Sequence, residues 1–477
     1  MNLRARIRLR ARIFMEKIRM VHTFYLNGYY IALDVNSGAV HVLDELTYKI
    51  LSKFSGKLEE NCPEWLLQEF SSEASEAEIK EIYSELLGLQ HAGQLFSEDD
   101  YEKFTCMMKG APIKSMCLHI SHDCNLRCKY CFASTGDFGK GRKLMPLETG
   151  KKAIDFLLTH SGNRHNLELD FFGGEPLMNW DTVKEIIAYA RSKEEEYNKK
   201  FRFTVTTNGM LLNDESIDFI NAEMSNIVLS IDGRKCVNDA MRVTEGGKGS
   251  YDVFVPKFQK LVERRRNGKY KEYYARGTFT KNNLDFANDV YHIADDLGFD
   301  QLSVEPVIAD ENEPYALTEE DLPKIYEEYE KLAVEMIRRK KEEGSCFNFF
   351  HFMIDLDQGP CAIKRLRGCG CGNEYVSVTP DGDIYPCHQF VGHDEWKMGN
   401  LEDETLDLKM KDKFACSNIY TKEGCKDCWC KFYCSGGCNA NNYSFNKDIN
   451  KPVKLSCEIE RKRVECAIMI KVAMADK

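Results

Sequence analysis

The sequence predicts an α/β protein in which a six-stranded parallel sheet lies between a small α+β region and a cysteine-rich region. Two observations predict this class. Strand-like and helix-like segments alternate from about Ala111 to Val307, and thirteen of the twenty cysteines lie from Cys346 onward. Alternating segments favour parallel strands, because each helix carries the chain back to the start of the next strand. We therefore expect the middle region to be either an open sheet or a partial barrel.

The N-terminal region shows short strands followed by helices. Two β-rich runs, FYLNGYYIALDV and AVHVLD, flank a turn at Asn36-Ser37-Gly38. ELTYKILSKF and SEAEIKEIYSELLGLQHAG then place apolar residues at helical spacing, and Gly93 suits a helix C-cap. We predict a small α+β domain over residues 21–109. Residues 1–20 carry seven basic residues and one acid, and we expect a disordered extension without the features of a secretory signal.

The middle region contains six strand candidates with helical segments between them. The candidates are IKSMCLHI, LELDFF, RFTVTT, NIVLSI, YARGTFT and QLSVEP. Unusual segments follow the first four of these: a cysteine loop, then GGEP, then TNG, then DG. Because parallel strands end at the same edge of a sheet, these four segments should meet at that edge, where α/β folds build their sites.

The last third of the chain is of a different character. The charged segment TEEDLPKIYEEYEKLAVEMIRRKKEEG predicts a linking helix over residues 313–345, which we interpret as a solvated spacer. Residues 346–477 have weak apolar periodicity but many cysteines and glycines. Metal can hold such a region together, because the free energy of metal binding becomes folding free energy.

Composition limits the classes of function. With 477 residues, 43% of them hydrophobic and 30% charged, the chain is expected to be soluble and to fold as two or three domains. A net charge of -11 argues against nucleic-acid binding, and no segment has the roughly 18 uninterrupted apolar residues of a membrane helix. Clustered cysteines without a secretory signal indicate thiolates that bind metal in a reducing cytoplasm.

One cysteine loop directly follows the first predicted strand. Cys124, Cys128 and Cys131 have the spacing CxxxCxxC. Three thiolates can hold three irons of a cubane and leave the fourth iron without a protein ligand. That open iron could chelate the amino and carboxylate groups of S-adenosylmethionine (SAM). A closed zinc site is the alternative, and His122 is the local candidate for its fourth ligand.

The cysteine loop, the strand order and the motifs together resemble the radical SAM superfamily. The resemblance implies a partial (β/α)6 barrel over residues 110–312, a [4Fe-4S] cluster on the three cysteines, and cleavage of SAM to a 5′-deoxyadenosyl radical. The residues that it places around SAM are Tyr130 by the adenine, Gly173, Gly174 and Glu175 by the methionine amino group, and Asn208, Ser230, Asp232 and Arg242 near the ribose or carboxylate.

The C-terminal cysteines resemble the SPASM domain, the seven-cysteine extension of peptide-modifying radical SAM enzymes. The resemblance implies two auxiliary [4Fe-4S] clusters in residues 346–477. One would be held by Cys425, Cys428, Cys434 and Cys457, and the other by Cys387 and Cys438 with an upstream pair drawn from Cys361, Cys369 and Cys371. We prefer Cys369, with Cys361 as the fourth ligand; without Cys361, one iron would be open to a substrate thiolate. A disulfide framework or a zinc ribbon is the alternative.

Three long segments resemble the maturases of SCIFF peptides, which are cysteine-rich ribosomal precursors. They are YYIALDVNSGAVHVLDELTYKIL, GPCAIKRLRGCGCGNEYVSVTPDGDIYPCHQFVG and CWCKFYCSGGCNANNY. This resemblance implies thioether cross-links between cysteines and carbons of acceptor residues such as Thr. It also implies that the N-terminal domain binds the leader of the precursor along a strand edge. The reaction would need an electron donor such as ferredoxin or flavodoxin.

Other functions remain open at this point. An oxidising maturase of the sulfatase-activating kind shares the SPASM frame, as do other enzymes that cross-link peptides. The sulfatase-activating family carries an acidic base after the cysteine that corresponds to Cys387, whereas this chain has His388. We treat His388 as a candidate catalytic residue, and an ordinary hydrogen-bonded histidine is the alternative. A non-catalytic peptide-binding or electron-transfer protein is a further possibility.

Overall fold

The computed structural model describes residues 20–266, 272–356 and 365–475. The expected disordered extension over residues 1–20 therefore lies, apart from Met20, outside the described residues, as does Cys361. The structure also gives no side-chain placement for residues 106–108.

The N-terminal region is a three-stranded antiparallel sheet followed by three helices. The strands are β1 (Val21–Leu26), β2 (Tyr29–Asp34) and β3 (Val40–Leu43), and the helices are α1 (Glu45–Leu51), α2 (Glu64–Phe70) and α3 (Glu76–His91). The β-rich run FYLNGYYIALDV is two strands, because Asn27 and Gly28 adopt φ angles of 48° and 89° and close a two-residue hairpin. The α+β character and the turn at residues 36–38 agree with the sequence.

Six parallel strands form the central sheet, in the order of their appearance in the chain. They are β4 (Ser115–Ser121), β5 (Asn166–Gly173), β6 (Lys200–Thr207), β7 (Asn226–Ser230), β8 (Glu272–Phe279) and β9 (Gln301–Pro306). Each overlaps one of the six predicted strands, so the α/β class and the parallel sheet are confirmed.

The helices between these strands bury their apolar faces in one core with the sheet. They are α4 (Leu147–His160), α5 (Trp180–Tyr197), α6 (Asp214–Glu223), α7 (Lys235–Met241), α8 (Tyr251–Arg266) and α9 (Phe286–Tyr291). Burial alternates along β5, where Leu167, Leu169 and Phe171 are fully buried. Burying such a side chain stabilises the fold by about 1.5–3 kcal/mol. The intervening residues of β5, such as Phe172, point to the other face of the sheet.

The sheet continues beyond the six strands at both edges. Strand β10 (Asn348–Phe349) pairs with β9, and β11 (Tyr375–Val378) pairs in parallel with β4. Three antiparallel strands complete an eleven-stranded sheet: β12 (Asp383–Tyr385), β13 (Gly399–Asn400) and β14 (Thr405–Leu406). Val376 and Val378 are fully buried in the same core as the central strands. The start of the cysteine-rich region is therefore built onto the central sheet, which its weak apolar periodicity did not predict.

The described residues after the central strands include five further α-helices. They are α10 (Leu322–Glu342), α11 (Leu408–Cys416), α12 (Lys431–Cys434), α13 (Asn439–Asn446) and α14 (Lys454–Ala475). Helix α10 packs along α14, and its Tyr329 hydroxyl accepts a hydrogen bond of 2.9 Å from Nε of Arg463. Tyr329 and Leu332 are fully buried. The interpretation of this segment as a solvated spacer is therefore wrong, because one face of the charged helix is a core surface.

None of the helices in the described ranges is long and apolar enough to span a bilayer.

Candidate active site

The loops that follow β4 to β7 meet at one cavity of about 870 Å³. This is the edge at which the sequence placed the cysteine loop and the GGEP, TNG and DG segments. The cavity is also lined by residues of the cysteine-rich region, including Cys369 and Cys438. It is therefore lined by the central sheet region and by the C-terminal third of the chain together.

Cys124, Cys128 and Cys131 all line this cavity as free thiols. The Cys124 sulfur accepts hydrogen bonds from the backbone N–H of Leu126 at 3.4 Å and from Nδ2 of Asn208 at 3.6 Å. Burial raises the pKa of the Cys124 thiol to about 12, and the charge of nearby Glu175 acts in the same direction. Binding to iron reverses this, because a coordinating thiol loses its proton.

The glycines of the GGEP segment allow β5 to end directly against the cysteine loop. Gly173 has a φ of 128°, and a Cβ on it would lie 2.2 Å from the carbonyl oxygen of Ser121. A Cβ on Gly174 would lie 2.1 Å from the carbonyl oxygen of Asp123. The Gly174 N–H donates to the Ser121 carbonyl at 2.7 Å. Any larger side chain at either position would push the two segments apart.

Glu175 is a buried carboxylate that joins two of the loops. Its oxygens accept hydrogen bonds from the N–H of Leu177 at 3.1 Å, the Thr207 hydroxyl at 2.7 Å and the N–H of Asn208 at 2.8 Å. Burial raises the pKa of Glu175 to about 6, although these donors oppose the shift. The carboxylate fixes Asn208, which in turn contacts Cys124.

Tyr130, Asp232 and Arg242 form a second polar cluster beside the cysteine loop. The Tyr130 hydroxyl lies 2.7 and 2.8 Å from the two oxygens of Asp232, and it accepts a hydrogen bond of 3.0 Å from Nη1 of Arg242. Tyr130, Arg242 and Ser230 line the cavity. Asp232 is buried behind Tyr130 and also accepts the N–H of Thr278 at 3.1 Å, so it positions the cluster instead of facing the cavity.

The three thiols fit a cluster held on separate irons. Throughout the described ranges, no three His, Cys, Asp or Glu side chains converge closely enough to hold one metal ion. A structural zinc ion would need its sulfur ligands about 2.3 Å away from a single centre. A cubane makes no such demand, since each thiolate binds a different iron. The roles predicted for Tyr130, Gly173, Gly174, Glu175, Asn208, Ser230, Asp232 and Arg242 around SAM stay predictions.

A second group of four cysteines adjoins the same cavity. Cys369, Cys371, Cys387 and Cys438 lie close enough to act on one another electrostatically. The Cys371 thiol donates to the Cys387 sulfur, which holds the pKa of Cys387 below its usual value. The structure thus brings Cys371 into the group that was predicted to hold the first auxiliary cluster. The alternative fourth ligand, Cys361, lies outside the described residues.

The remaining predicted ligands form a third group near the start of α14. Cys425, Cys428, Cys434 and Cys457 line one small pocket with Arg461. Nη2 of Arg461 lies 3.6 Å from the Cys428 sulfur. Burial raises the pKa of Cys425 to about 12 and that of Cys457 to about 11, and the other thiols of the group add to the effect. Four thiols without disulfide partners fit a complete set of cluster ligands.

His388 lies on the cavity wall directly after Cys387. Its Nδ1 is 3.2 Å from the hydroxyl of Tyr375, and its ring centroid is 4.9 Å from that of Phe172. Burial lowers the pKa of His388 to about 4, and the positive charge of Arg276 adds to the effect. The imidazole is therefore neutral at pH 7. Its catalytic role stays a prediction.

Sequence reasoning missed several residues that line the cavity. Phe132 projects from the cysteine loop, whereas Arg276, Glu305 and Arg463 come from β8, β9 and α14. The spacing of polar residues along β8 was the available signal, because Arg276 and Thr278 are two residues apart and therefore share one face of the strand, the face opposite the buried residues. Arg463 carried no such signal, because the packing of α14 is a tertiary feature.

Two parts of the chain match known families. Residues 118–271 match the radical SAM superfamily, and residues 369–429 match the SPASM iron–sulfur cluster-binding domain. These ranges contain the three cysteine groups in part or whole.

Individual proteins extend this similarity over most of the chain. A cysteine-type anaerobic sulfatase-maturating enzyme of Clostridium novyi is 26% identical over 339 residues, which are 67% of this chain and 86% of that enzyme. The structure of native anSMEcpe with bound AdoMet has a TM-score of 0.63 and 22% identity, and covers 77% of this chain and all of that one. Streptococcus suis SuiB bound to precursor peptide SuiA has a TM-score of 0.51 and 17% identity over 91% of this chain and 97% of that one.

The family matches agree with the site. A loop of three cysteines follows β4 within the radical SAM match, and two further cysteine groups begin within the SPASM match and continue beyond it to Cys457. The cofactors of the radical SAM domain are SAM and a [4Fe-4S] cluster. The SPASM domain binds auxiliary iron–sulfur clusters. The chain thus combines a radical SAM domain with a SPASM domain, and it is a radical SAM enzyme that is similar to SPASM-containing peptide maturases.

Proposed function

We propose that this enzyme forms intramolecular thioether cross-links in a cysteine-rich precursor peptide of the SCIFF kind. The observation that carries the proposal is that one cavity is lined both by Cys124, Cys128 and Cys131 and by Cys369 and Cys438. A cross-link requires a carbon and a sulfur to be activated and held together, and a shared cavity meets that requirement.

The atoms and electrons of the proposed reaction balance. Bound SAM supplies a 5′-deoxyadenosyl radical when one electron is delivered to the site. Each cross-link then removes one hydrogen atom from a peptide carbon, which leaves on 5′-deoxyadenosine, and one proton from a cysteine thiol. Joining the carbon radical to the thiolate releases one electron, so the peptide loses two hydrogens in all. An auxiliary iron–sulfur cluster, when bound, would supply the acceptor for that electron. His388, on the cavity wall next to Cys387, stays the candidate catalytic residue.

The N-terminal sheet supports recognition of a leader segment. Strand β1 packs against α14, where Nε2 of His22 lies 3.0 Å from Glu465. The His22 ring also stacks on Trp429, just before α12, with centroids 3.7 Å apart. Strand β3 lies at the other edge of the sheet, and its Val42 side chain is 58% exposed. We propose that the leader adds to the sheet along β3, since an exposed strand edge offers unpaired backbone groups. The similar protein SuiB has likewise been crystallised with a precursor peptide, SuiA, bound to it.

The proposal includes the setting of the reaction. The enzyme would work in a reducing cytoplasm and receive its electrons from a donor such as ferredoxin or flavodoxin. Neither nucleic acid nor membrane takes part.

The test is anaerobic incubation of the reconstituted enzyme with dithionite, SAM and a synthetic version of a short cysteine-rich peptide encoded beside the gene. We expect the peptide to lose two hydrogens and one alkylatable thiol for every cross-link, as read by mass spectrometry after iodoacetamide treatment. Cys128→Ala should abolish the change. Cys236→Ala, at an exposed cysteine on α7, should leave it intact. Loss of two hydrogens with every thiol still alkylatable would exclude a thioether.

The similarity to the Clostridium novyi enzyme favours oxidation of a single residue as the second candidate function. That reaction forms no ring in the peptide. Tandem mass spectrometry separates the two, because a cross-linked peptide does not fragment between its joined residues, whereas a singly oxidised peptide fragments along its whole length.

A further inference from the structure

The Arg276 guanidinium is exposed within the cavity and has few partners. Arg276 lies on β8 between Ser230 of β7 and Ser303 of β9, and its side chain is 56% exposed. Its one ion pair in the described ranges is with Glu305, at 3.8 Å, which is longer than a hydrogen bond. A guanidinium has five N–H donors in a planar fork.

The other arginines that line the cavity are occupied. Arg242 donates to the Tyr130 hydroxyl, and Arg365 donates to the carbonyl of Tyr433 at 3.1 Å. Arg463 is buried, donates to the Tyr329 hydroxyl and lies 3.4 Å from an oxygen of Glu305. Arg276 thus differs from its neighbours in having its donors directed into open space.

The Glu305 carboxylate does not neutralise Arg276 fully, because it also contacts other positively charged or polar side chains. Its carboxylate is contacted by Arg463 and, at 3.6 Å, by Nε2 of His351. Burial would raise the pKa of Glu305, but the positive charges around it hold that pKa at about 2. The charge of protonated His351 is the largest of the effects that lower the pKa of Glu305, followed by those of Arg463 and Arg276. Burial lowers the pKa of His351 to about 3, so at pH 7 this ring is neutral and the two arginines are the cations beside Glu305.

A peptide that fills the cavity removes water from Arg276. A cation that loses its water without gaining an acceptor is strongly unfavourable, so the occupant of the cavity must supply one. A carboxylate matches the guanidinium fork with two parallel hydrogen bonds, which a single backbone carbonyl does not. We propose that Arg276 binds the carboxylate of an Asp or Glu side chain in the substrate peptide, next to the residues that are modified. This inference rests on the proposed function, because it assumes that the substrate is a peptide.

The methionine end of SAM carries another carboxylate that Arg276 could bind in this cavity. The position of Arg276 favours the peptide, because its charged neighbours Glu305 and Arg463 lie on the side of the cavity formed by β9 and α14. Arg242, in contrast, donates a hydrogen bond of 3.0 Å to the Tyr130 hydroxyl of the loop that carries Cys128 and Cys131.

The test measures binding, so it does not depend on which modification the enzyme makes. The holoenzyme with SAM is titrated against the fluorescently labelled precursor peptide. The same titration is made with peptides in which each Asp or Glu of the core, which is the part of the precursor outside the leader, is changed in turn to Asn or Gln. We expect one such change to weaken binding about tenfold or more, which corresponds to about 1.4 kcal/mol. Arg276→Gln should weaken binding of the unchanged peptide to a similar degree, and the two losses should not add.

Two variants complete the test. Arg276→Lys keeps the charge but not the fork, and we expect intermediate affinity. Arg202→Gln removes an exposed arginine on β6 that does not line the cavity, and it should bind like the wild type. SAM affinity is measured in Arg276→Gln as well, because a side chain that binds the peptide and not the cofactor should affect peptide affinity far more than SAM affinity.

Three results would overturn the assignment. They are additive losses in the double substitution, a core peptide whose acidic residues can all be amidated without loss of affinity, and weakened SAM binding by Arg276→Gln. Weakened SAM binding would show that Arg276 binds the carboxylate of SAM and not that of the peptide. If the wild type binds the peptide but forms no thioether, the proposed function fails while the coupling between Arg276 and the acidic residue is still measured.

Discussion

Buried acids are the residues of this site whose behaviour depends most on their surroundings. Glu175 receives three hydrogen bonds from two segments. We predict that Glu175→Gln lowers SAM affinity at least tenfold, because the amide nitrogen would face the donors that fix Asn208 beside Cys124. An unsatisfied buried donor costs about 1–3 kcal/mol. Equilibrium dialysis with labelled SAM measures the change, and Glu148→Gln, at an exposed position on α4, is the matched control. Unchanged SAM affinity in Glu175→Gln would show that the carboxylate does not organise the site.

Asp170 on β5 gives a prediction about pH. Burial raises its pKa to about 7, with Glu168 adding to the shift and a hydrogen bond from Thr204 opposing it. Between the ordinary pKa near 3.8 and pH 7, the folded state holds a proton that the unfolded state has lost, so stability falls as pH rises through this window. From pH 6 to pH 8, the wild type should lose about 1 kcal/mol that Asp170→Asn does not lose.

The measurement is the apparent Tm of both proteins at the two pH values under anaerobic conditions. Glu168→Gln, on the same strand but exposed, should weaken the pH dependence without removing it, because Glu168 adds to the raised pKa of Asp170 but burial is the larger cause. Parallel behaviour of Asp170→Asn and the wild type would show that Asp170 has an ordinary pKa.

At the scale of elements, the N-terminal sheet is attached to the auxiliary cysteine region. His22 of β1 stacks on Trp429, which lies between Cys428 and Cys430, and its Nε2 is 3.0 Å from Glu465 on α14. Asp99, after α3, pairs with Lys431 at 2.7 Å. These contacts hold the proposed leader-binding sheet at a fixed distance from the cavity.

We therefore predict that His22→Ala loosens β1 without affecting the chemistry of SAM. Hydrogen exchange in Val21–Leu26 should become faster, whereas 5′-deoxyadenosine formation without peptide should change less than twofold. Modification of a peptide that includes its leader should slow severalfold, because the leader no longer holds the core in one place. His41→Ala on β3 removes a histidine that contacts only the carbonyl of Gln94 among described residues, and it is the control for exchange in β1. Equal exchange in β1 of the wild type and His22→Ala would show that the stack does not anchor the sheet.

Elements differ in how well the sequence predicts them, for physical reasons. Helix α4 can be predicted from its local sequence, because its apolar residues follow the helical period. Strand β11 was not predicted, because YVSV is four residues long and is a strand only by pairing with β4, more than 250 residues earlier. The Asn27-Gly28 turn was a local signal that the sequence reasoning did not use.

At the scale of the whole molecule, spacing predicted the ligand groups, but only the tertiary structure relates them. The sequence assigned Cys425, Cys428, Cys434 and Cys457 to one group, and the structure brings all four together. It left the choice between Cys369 and Cys371 open, and both approach Cys387 in the fold. The shared cavity could not be predicted, because it depends on how the C-terminal third of the chain packs on the barrel.

The two halves of the molecule should depend on metal to different degrees. The barrel has a large apolar core, so its stability does not require the cluster on the SAM loop. The only regular secondary structure in the segment from Cys425 to Cys438 is the four-residue helix α12. The segment also includes glycines with positive φ, such as Gly436. Its order is expected to come from its clusters, since metal binding there becomes folding free energy.

We predict that changing Cys124, Cys128 and Cys131 together to alanine removes about four irons, or one third of the total for three [4Fe-4S] clusters, and shifts Tm by only a few degrees. SAM cleavage should be lost. Changing Cys425, Cys428 and Cys434 together should also remove about four irons but make hydrogen exchange in α12 and the start of α14 faster by orders of magnitude, because that segment loses its scaffold. Iron and sulfide assays, thermal unfolding and hydrogen exchange measure these effects, with Cys236→Ala as the control. If the first triple variant unfolds, or if the second keeps its exchange protection, the division between an apolar barrel and a metal-supported region is wrong.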